Sequence, residues 1–537
     1  MPLNRPYDLS GRAPQLNSSD SKSPLAFDDS PPRTTRTVLA RNAALSLGTE
    51  VFIGVLLVAT VPPLVHRLGP ASFGLYSLAF ALIGYLTYLD LGVSRAVTQF
   101  VSVALARNDL AETNRAIHSA TLVNLFIGSL CSLAVVLTTP LLIHTVFTIT
   151  PALQREAALV FYAVAVVVPF FLVQGVFRAV LMSYQRFGAI SLINGVATSV
   201  QLLLALILAW TGFDVGIIVV SSVVVRIVAV GAYAAFLFRL IPGLLRRFEP
   251  DRHEIGALLH FGGWVTVSQI ILQSLVYLDR FLLASFLSLE AITLYSVPYE
   301  GLTRLRVIPQ SVMAALYPAM SEYSEDASRE RLQVLYESSL RYLLLLLLPG
   351  ISFVVVFGRE LMSLWMGTQF AARASVVLQV LAAGFLLNSL AYVSYSAIQA
   401  FRKPEVVGKF HLIVAPIYLV LSVLLILRWG IPGAAVAAAV RFAVDAIFLF
   451  WVARKYCRFS LAAASRKSLS LIFSIGLALT IVFLGVRVTV PSSSGRLLLG
   501  MLAIFSYFAV IWRYVLDSRE KPVIVRALNL FGRQATV

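Results

Sequence analysis

Apolar residues in this chain come in long unbroken runs separated by short polar breaks, and the runs do not alternate as barrel strands would. Crossing the hydrocarbon of a bilayer takes about 20 apolar residues in a helix. About fourteen runs approach or reach that length, at 38–62, 73–95, 117–140, 158–182, 188–210, 214–239, 257–287, 291–319, 340–357, 374–400, 406–428, 431–453, 467–487 and 496–516. The pattern predicts an all-α polytopic membrane protein.

The runs are themselves duplicated. Leu75-Tyr76-Ser77 returns as Leu294-Tyr295-Ser296, about 219 positions later, each near the start of an apolar run. The register persists, because Trp210 followed by Gly216 corresponds to Trp429 followed by Gly433, with the second loop slightly shorter. A repeat that long is not a solenoid unit. It fits two lobes, each of six helices; an even number makes both copies enter the membrane from the same side, which implies parallel repeats about an axis along the membrane normal. The expected organisation is a disordered cytoplasmic tail at 1–37, an N-lobe at 38–240, a cytoplasmic linker at 241–256 and a C-lobe at 257–455. Residues 456–537 add two helices outside the duplication and a cytoplasmic C-terminal tail. Those helices either pack on one lobe or form a groove for a lipid tail, and the sequence supports both readings.

Composition agrees with the membrane and charge orients the chain. Of its residues 59% are hydrophobic and 13% charged, too apolar for a soluble core. About 30 of the 43 Lys and Arg residues fall on the N-terminal side of the predicted spans and only a few opposite, including Arg67, Arg155 and Arg359, which places both termini in the cytoplasm. The net charge of +17 is therefore a topology signal and not a nucleic-acid footprint, since it is scattered over short loops. Cys131 in a span and Cys457 in a loop offer neither a disulfide framework nor a metal-binding pair, and the six histidines are dispersed. Soluble-enzyme motifs such as a phosphate loop, HExxH or GxSxG in its proper setting are missing, so neither a catalytic nor a metal site is expected.

The charges inside the spans are the candidate chemistry, since each costs roughly 2.5 kcal/mol or more at bilayer depth. Counting about 1.5 Å per residue from the nearest helix end puts Glu50, Arg226, Glu300, Arg304, Arg306, Arg441 and Asp445 centrally. Asp90, Arg95 and Arg178 fall near the cytoplasmic edge and Asp279 and Arg280 near the outer edge, where they read as anchors or helix-end pairs. Glu300 with Arg304 and Arg441 with Asp445 have the spacing of ion pairs along one helix face. Arg226 and Arg306 have no evident partner. Arginine suits phosphate through its planar two-donor fork, so Arg226, Arg304, Arg306 and Arg441 are the expected ligands of an anionic head group, a pyrophosphate among the plausible guests. Glu50, Glu300 and Asp445 are the candidates for coupling to H⁺ or Na⁺. Trp264, Tyr277, Tyr295 and Tyr299 are aromatic surfaces on which sugars could stack. Pro169, Pro298, Pro309, Pro318 and Pro416 are expected bends, either static kinks or, in the eighth span, a moving one.

LGPASFGLYSLAFALIGYLTYLDLGVSRAV at 68–97, VYLDRFLLASFLSLEAITLYSVPYEGL at 276–302 and WGIPGAAVAAAV at 429–440 resemble the polysaccharide flippases of the multidrug/oligosaccharidyl-lipid/polysaccharide exporter superfamily, over most of 38–455. The resemblance implies a transporter without a resident cofactor, moving an undecaprenyl-pyrophosphate-linked oligosaccharide across the bacterial inner membrane by alternating access. It also implies membrane lipids, a polysaccharide polymerase and export machinery as partners, and no nucleic acid. In the lipid II branch, Ser-Arg-x-x-Gly-x-x-Arg marks the first helix; this chain reads RNAALSLGTEVF at 41–52, with Glu50 near the second Arg. Multidrug extruders, usually twelve-helix cation binders, fit the unpaired arginines poorly. A polytopic glycan polymerase or ligase on the same carrier is the alternative from another class, but the outer loops are short for chemistry. A scaffold without transport is a third, against which the buried charges weigh.

Overall fold

The structure is a computed structural model that describes residues 36–515 and 521, except 91, 242, 245–247, 314–315, 317–319, 321–328, 402–403, 458 and 460–462; the side chains of 36–47, 259–269, 272, 404, 463–468 and 515 are also outside the description. The expected tail at 1–37 (apart from Arg36 and Thr37, which begin the first helix), Pro318 and the Trp264 side chain thus lie outside the described residues. Everything regular among the described residues is helical. In chain order the helices are α1 Arg36–Leu68, α2 Pro70–Thr87, α3 Val93–Ala106, α4 Leu110–Leu141, α5 Pro151–Ser183, α6 Phe187–Trp210, α7 Val215–Leu240, α8 Arg252–Phe286 and α9 Leu289–Thr303. Beyond a 3-10 turn at Arg304–Arg306 follow α10 Arg329–Met366, α11 Thr368–Ala400, α12 Pro404–Trp429, α13 Ile431–Tyr456, α14 Ala463–Thr489 and α15 Ser493–Val510.

Twelve of these are long and apolar enough to cross a membrane. Adding α8 and the interrupted α9 gives the fourteen expected spans, α3 being the helix left over. The run at 73–95 does not form one helix: α2 stops at Thr87, Gly92 takes a left-handed φ of 68°, and Asp90 accepts hydrogen bonds from the backbone of Gly92 (3.0 Å) and Ser94 (3.3 Å) to start α3. Asp90 is therefore a cap on backbone N–H groups, and not the anchor or helix-end pair expected of it.

The duplication is visible in the packing. In the first copy α1 packs on α6, α4 on α5, and α5 on α7; in the second α8 packs on α12, α10 on α11, and α11 on α13, which are the equivalent pairs. Small residues permit the tightest approaches. Gly128 lies where a Cβ would stand 2.5 Å from Pro169, so the proline bend of α5 is seated against α4, as a packing kink would be. The two extra helices cover one lobe: Ile472, Phe483 and Tyr507 form a cluster with Leu344, Phe353 and Phe357 of α10, and Arg496 pairs with Glu360 at 2.8 Å.

At one end the lobes touch. Thr293 donates to the Pro70 carbonyl at 2.6 Å, Thr148 donates to those of Ala284 and Leu287 at 2.8 and 2.9 Å, and Trp365 donates to that of Val58 at 2.7 Å. Gly74 brings α2 so near α9 that a Cβ there would stand 1.8 Å from the Leu289 carbonyl oxygen. This end, which carries the α1–α2 and α8–α9 turns, is closed; deeper in, the lobes separate around a chain of cavities.

Candidate functional site

Why α9 ends at Thr303 is local chemistry. Pro309 has no N–H to return to the Leu305 carbonyl, and the preceding residues tighten into the 3-10 turn. Two positions apart on this turn, wound at about 120° per residue against about 100° in an α-helix, Arg304 and Arg306 point about 120° apart instead of about 160°, near enough to share one cavity while each also reaches another. Arg304 faces a cavity of about 250 Å³ between the lobes, and both it and Arg306 face a wider one of about 680 Å³ lined by Glu50 and α1. Arg306 also reaches a third, of about 260 Å³, inside the second lobe, with Gln310 shared between the second and third.

The inter-lobe cavity draws on both copies of the repeat. From the first lobe come Tyr76, Thr198, Gln201 and Arg226; from the second come Tyr277, Arg280, Ser296, Glu300 and Arg304. Arg226 donates to Gln201 at 2.7 Å and to Thr198 at 3.4 Å. These partners are neutral, so they orient the guanidinium and leave its charge uncompensated. The expectation that Arg226 stands alone is thus corrected in its hydrogen bonding and kept in its charge.

Across the cavity the expected Glu300–Arg304 pair forms, with a closer partner added. Glu300 is held by Arg280 at 2.7 Å, and Arg304, its helix neighbour, stands 3.8 Å away. Arg280 also donates to Ser296 at 3.1 Å and lies over the Tyr299 ring, 4.8 Å from its centroid. It is 3% exposed, and Asp279 beside it is 2% exposed. Neither is the outer-edge anchor that counting from the helix end suggested. The end of α8 is buried where the lobes meet, with Leu283 and Ala284 fully covered, so distance from that end is not distance from water. Asp279 accepts from the hydroxyls of Tyr295 and Tyr418, each at 2.5 Å. Tyr295 is therefore occupied in the core and cannot stack on a sugar, and Tyr299 is buried as well; Tyr277 does line the cavity.

Arg441 and Asp445 form the pair their spacing suggested, at 3.5 Å, with His411 3.6 Å from the same carboxylate. Arg441 is 7% exposed and lies 5.2 Å from the Tyr418 ring centroid, so its charge is engaged. Arg306 makes no hydrogen bond or ion pair among the described residues, and Glu50 is exposed in the wide cavity. Asp279, Arg280, Gln201 and His411 are the functional candidates the sequence reading missed. The available signal was adjacency: two opposite charges, Asp279 and Arg280, in the middle of an apolar run.

Three arginines against one glutamate line the inter-lobe cavity, within a duplicated membrane fold closed at one end. Architecture of this kind defines a two-lobed membrane protein with a surplus of positive charge in its central cavity. Residues 39–324 match the model of a family described as polysaccharide biosynthesis protein, and the chain belongs to that family. A relative named putative O-antigen transporter, from Shigella flexneri, is 26% identical over 396 residues, covering 73% of this chain and 92% of its own length. Among solved structures, the lipid II flippase MurJ in an inward closed conformation superposes with a TM-score of 0.65 at 13% identity, over 89% of this chain and 98% of that one. An inward-facing multidrug resistance MATE family transporter of the MOP superfamily superposes with a TM-score of 0.63 at 14% identity, over 80% and 99%. Both structural likenesses are likenesses of fold.

Proposed function

We propose that this protein flips a lipid-linked oligosaccharide, carried on undecaprenyl pyrophosphate, across the bacterial inner membrane by alternating access of its two lobes. The observation that carries the reading is the surplus of positive charge in the inter-lobe cavity, three arginines to one glutamate, beneath a closed end. A diphosphate crossing the bilayer needs fixed cations in place of water, and guanidinium groups supply paired donors. Arg226, Arg280, Arg304 and Arg306 take the head group. Family membership and the relative's name support a glycan as cargo. Both termini lie in the cytoplasm on this reading, the closed end faces outward, and a polysaccharide polymerase and export machinery receive the product. Glu50 and Glu300 are the acids on which an H⁺ or Na⁺ gradient acts, with Asp445 deeper in the second lobe. A transport assay indifferent to both gradients and to membrane potential removes the coupling.

The test is complementation of a strain lacking the protein. Arg226→Ala and Arg306→Ala should each reduce surface or exported glycan while the membrane level of the protein stays at that of the wild type. Full complementation by both variants would overturn the head-group role.

A further inference from the structure

The third cavity is chemically unlike the first two. It lies wholly in the second lobe, between α8, the segment after the 3-10 turn, α11, α12 and α13, and it adjoins the wide cavity through Arg306 and Gln310. Four side chains that line it carry polar atoms without a hydrogen-bond partner: Ser389 Oγ, His411 Nδ1, Arg441 Nε and Asp445 Oδ1, the last with His411 Nε2 no nearer than 3.6 Å. Each of those residues is more than nine-tenths buried. An unmet polar atom away from water costs about 1–3 kcal/mol; these four have almost no accessible surface as the side chains stand, so the wall gains from a partner in the cavity toward which they turn.

The donor and acceptor types say what that partner is. Arg441 Nε can only donate and Asp445 Oδ1 as a carboxylate can only accept, while Ser389 does both. A phosphate would serve the donors and be repelled by Asp445. An apolar chain would serve none. Hydroxyl groups, which donate and accept, satisfy the whole set. The same cavity presents the rings of Tyr392 and Tyr395, stacked at 6.0 Å between centroids, and the amide of Asn388. Ring faces beside amide, hydroxyl and a charged pair are what the C–H face and the rim of a pyranose require. Its volume of about 260 Å³ falls below the range of about 300–1,000 Å³ for drug-sized ligands, which suits a single sugar ring.

We propose that this cavity is a glycosyl subsite, holding one sugar of the lipid-linked glycan near the diphosphate while the arginines of the adjoining cavities hold the diphosphate itself. The proposal rests on the head-group reading above for its place in the cycle, and on the unmet polar atoms for its chemistry. It makes the second lobe the part that discriminates between glycans.

The experiment measures binding to the full-length protein in lipid nanodiscs with three synthetic probes: a polyprenyl diphosphate without sugar, the same lipid bearing one hexose, and the same lipid bearing one N-acetylhexosamine. At least one sugar-bearing probe should bind about tenfold more tightly than the bare lipid. Asn388→Leu combined with Tyr392→Leu should erase that increment and leave the affinity for the bare lipid unchanged; Tyr392→Phe, which keeps the ring, should retain most of it. Thermal unfolding of each variant shows whether it folds, and Ser389→Ala serves as a smaller alteration of the same wall should the double variant not fold. Arg226→Ala should weaken all three probes alike. Equal binding of all probes to the wild type, or an equal loss for bare and glycosylated lipid in the cavity variants, overturns the subsite. Absence of bare-lipid binding overturns the head-group reading instead, and a sugar increment that persists then still supports the subsite. Absence of any binding overturns both.

Discussion

Tyr76 and Tyr295 occupy the same position in the two copies of the repeat, and their surroundings show where the copies diverged. The Tyr76 hydroxyl faces Gln201, Ser222 and Arg226. That of Tyr295 bonds Asp279, which also holds Tyr418, with Arg441 over the Tyr418 ring. In the first lobe the repeated tyrosine faces a polar side chain of α6 and an arginine of α7 directly; in the second it reaches the equivalent helices, α12 and α13, only through Asp279, by way of Tyr418 and Arg441. Among the described residues only the second lobe has carboxylates there. The first lobe offers an uncompensated cation to the cavity, whereas the second has closed its arginine into a buried pair. The fold supplied two equivalent polar sites, and charge compensation left a free cation in one and a buried ion pair in the other.

Breaking the buried ion pair should produce the largest effect. Asp445→Ala strands Arg441 in the core and should destabilise the protein by about 3–5 kcal/mol, read as a fall in thermal unfolding temperature in detergent. Replacing both, Arg441→Met with Asp445→Leu, should bring stability back to within about 1 kcal/mol of the wild type, because a buried pair adds little over apolar packing. At the free cation, Arg226→Ala should leave unfolding nearly unchanged and lower affinity for a polyprenyl diphosphate about tenfold to a hundredfold, the worth of one or two charge-assisted hydrogen bonds. Glu300→Gln sharpens the comparison in the opposite direction. It frees Arg280 and Arg304 and should raise that affinity several-fold while slowing release, measurable as a longer dissociation time. Smallest is Thr293→Val, which removes one hydrogen bond at the closed end and should cost about 1 kcal/mol or less, detectable as modestly increased labelling of a cysteine introduced at Ser77.

Much of this was legible in the chain before folding was considered. Fourteen apolar runs, the Leu-Tyr-Ser repeat and the two i, i+4 charge pairs led to the helices, the two-lobe frame and the Arg441–Asp445 contact. Two features were not legible, for physical reasons. The break between α2 and α3 depends on the left-handed Gly92 and on Asp90 capping backbone, and neither interrupts the apolar pattern enough to show. The burial of Arg280 depends on the partner lobe, since the turn after α8 is covered by Thr148 and its neighbours. A rule that measures depth from the helix end assumes that end is wet. Nor does the sequence show that Glu300 pairs chiefly with Arg280, twenty positions earlier on α8 and outside any helical spacing.

The division of labour between the lobes is tested most directly by titrating one synthetic polyprenyl diphosphate without sugar against three proteins in nanodiscs: the wild type, Arg226→Gln, and Arg441→Met with Asp445→Leu. The first substitution should cost about tenfold or more in affinity, and the double substitution should leave affinity within about twofold of the wild type. An equal loss in both variants, or a loss confined to the Arg441–Asp445 pair, would contradict the assignment of the anion to the inter-lobe cavity.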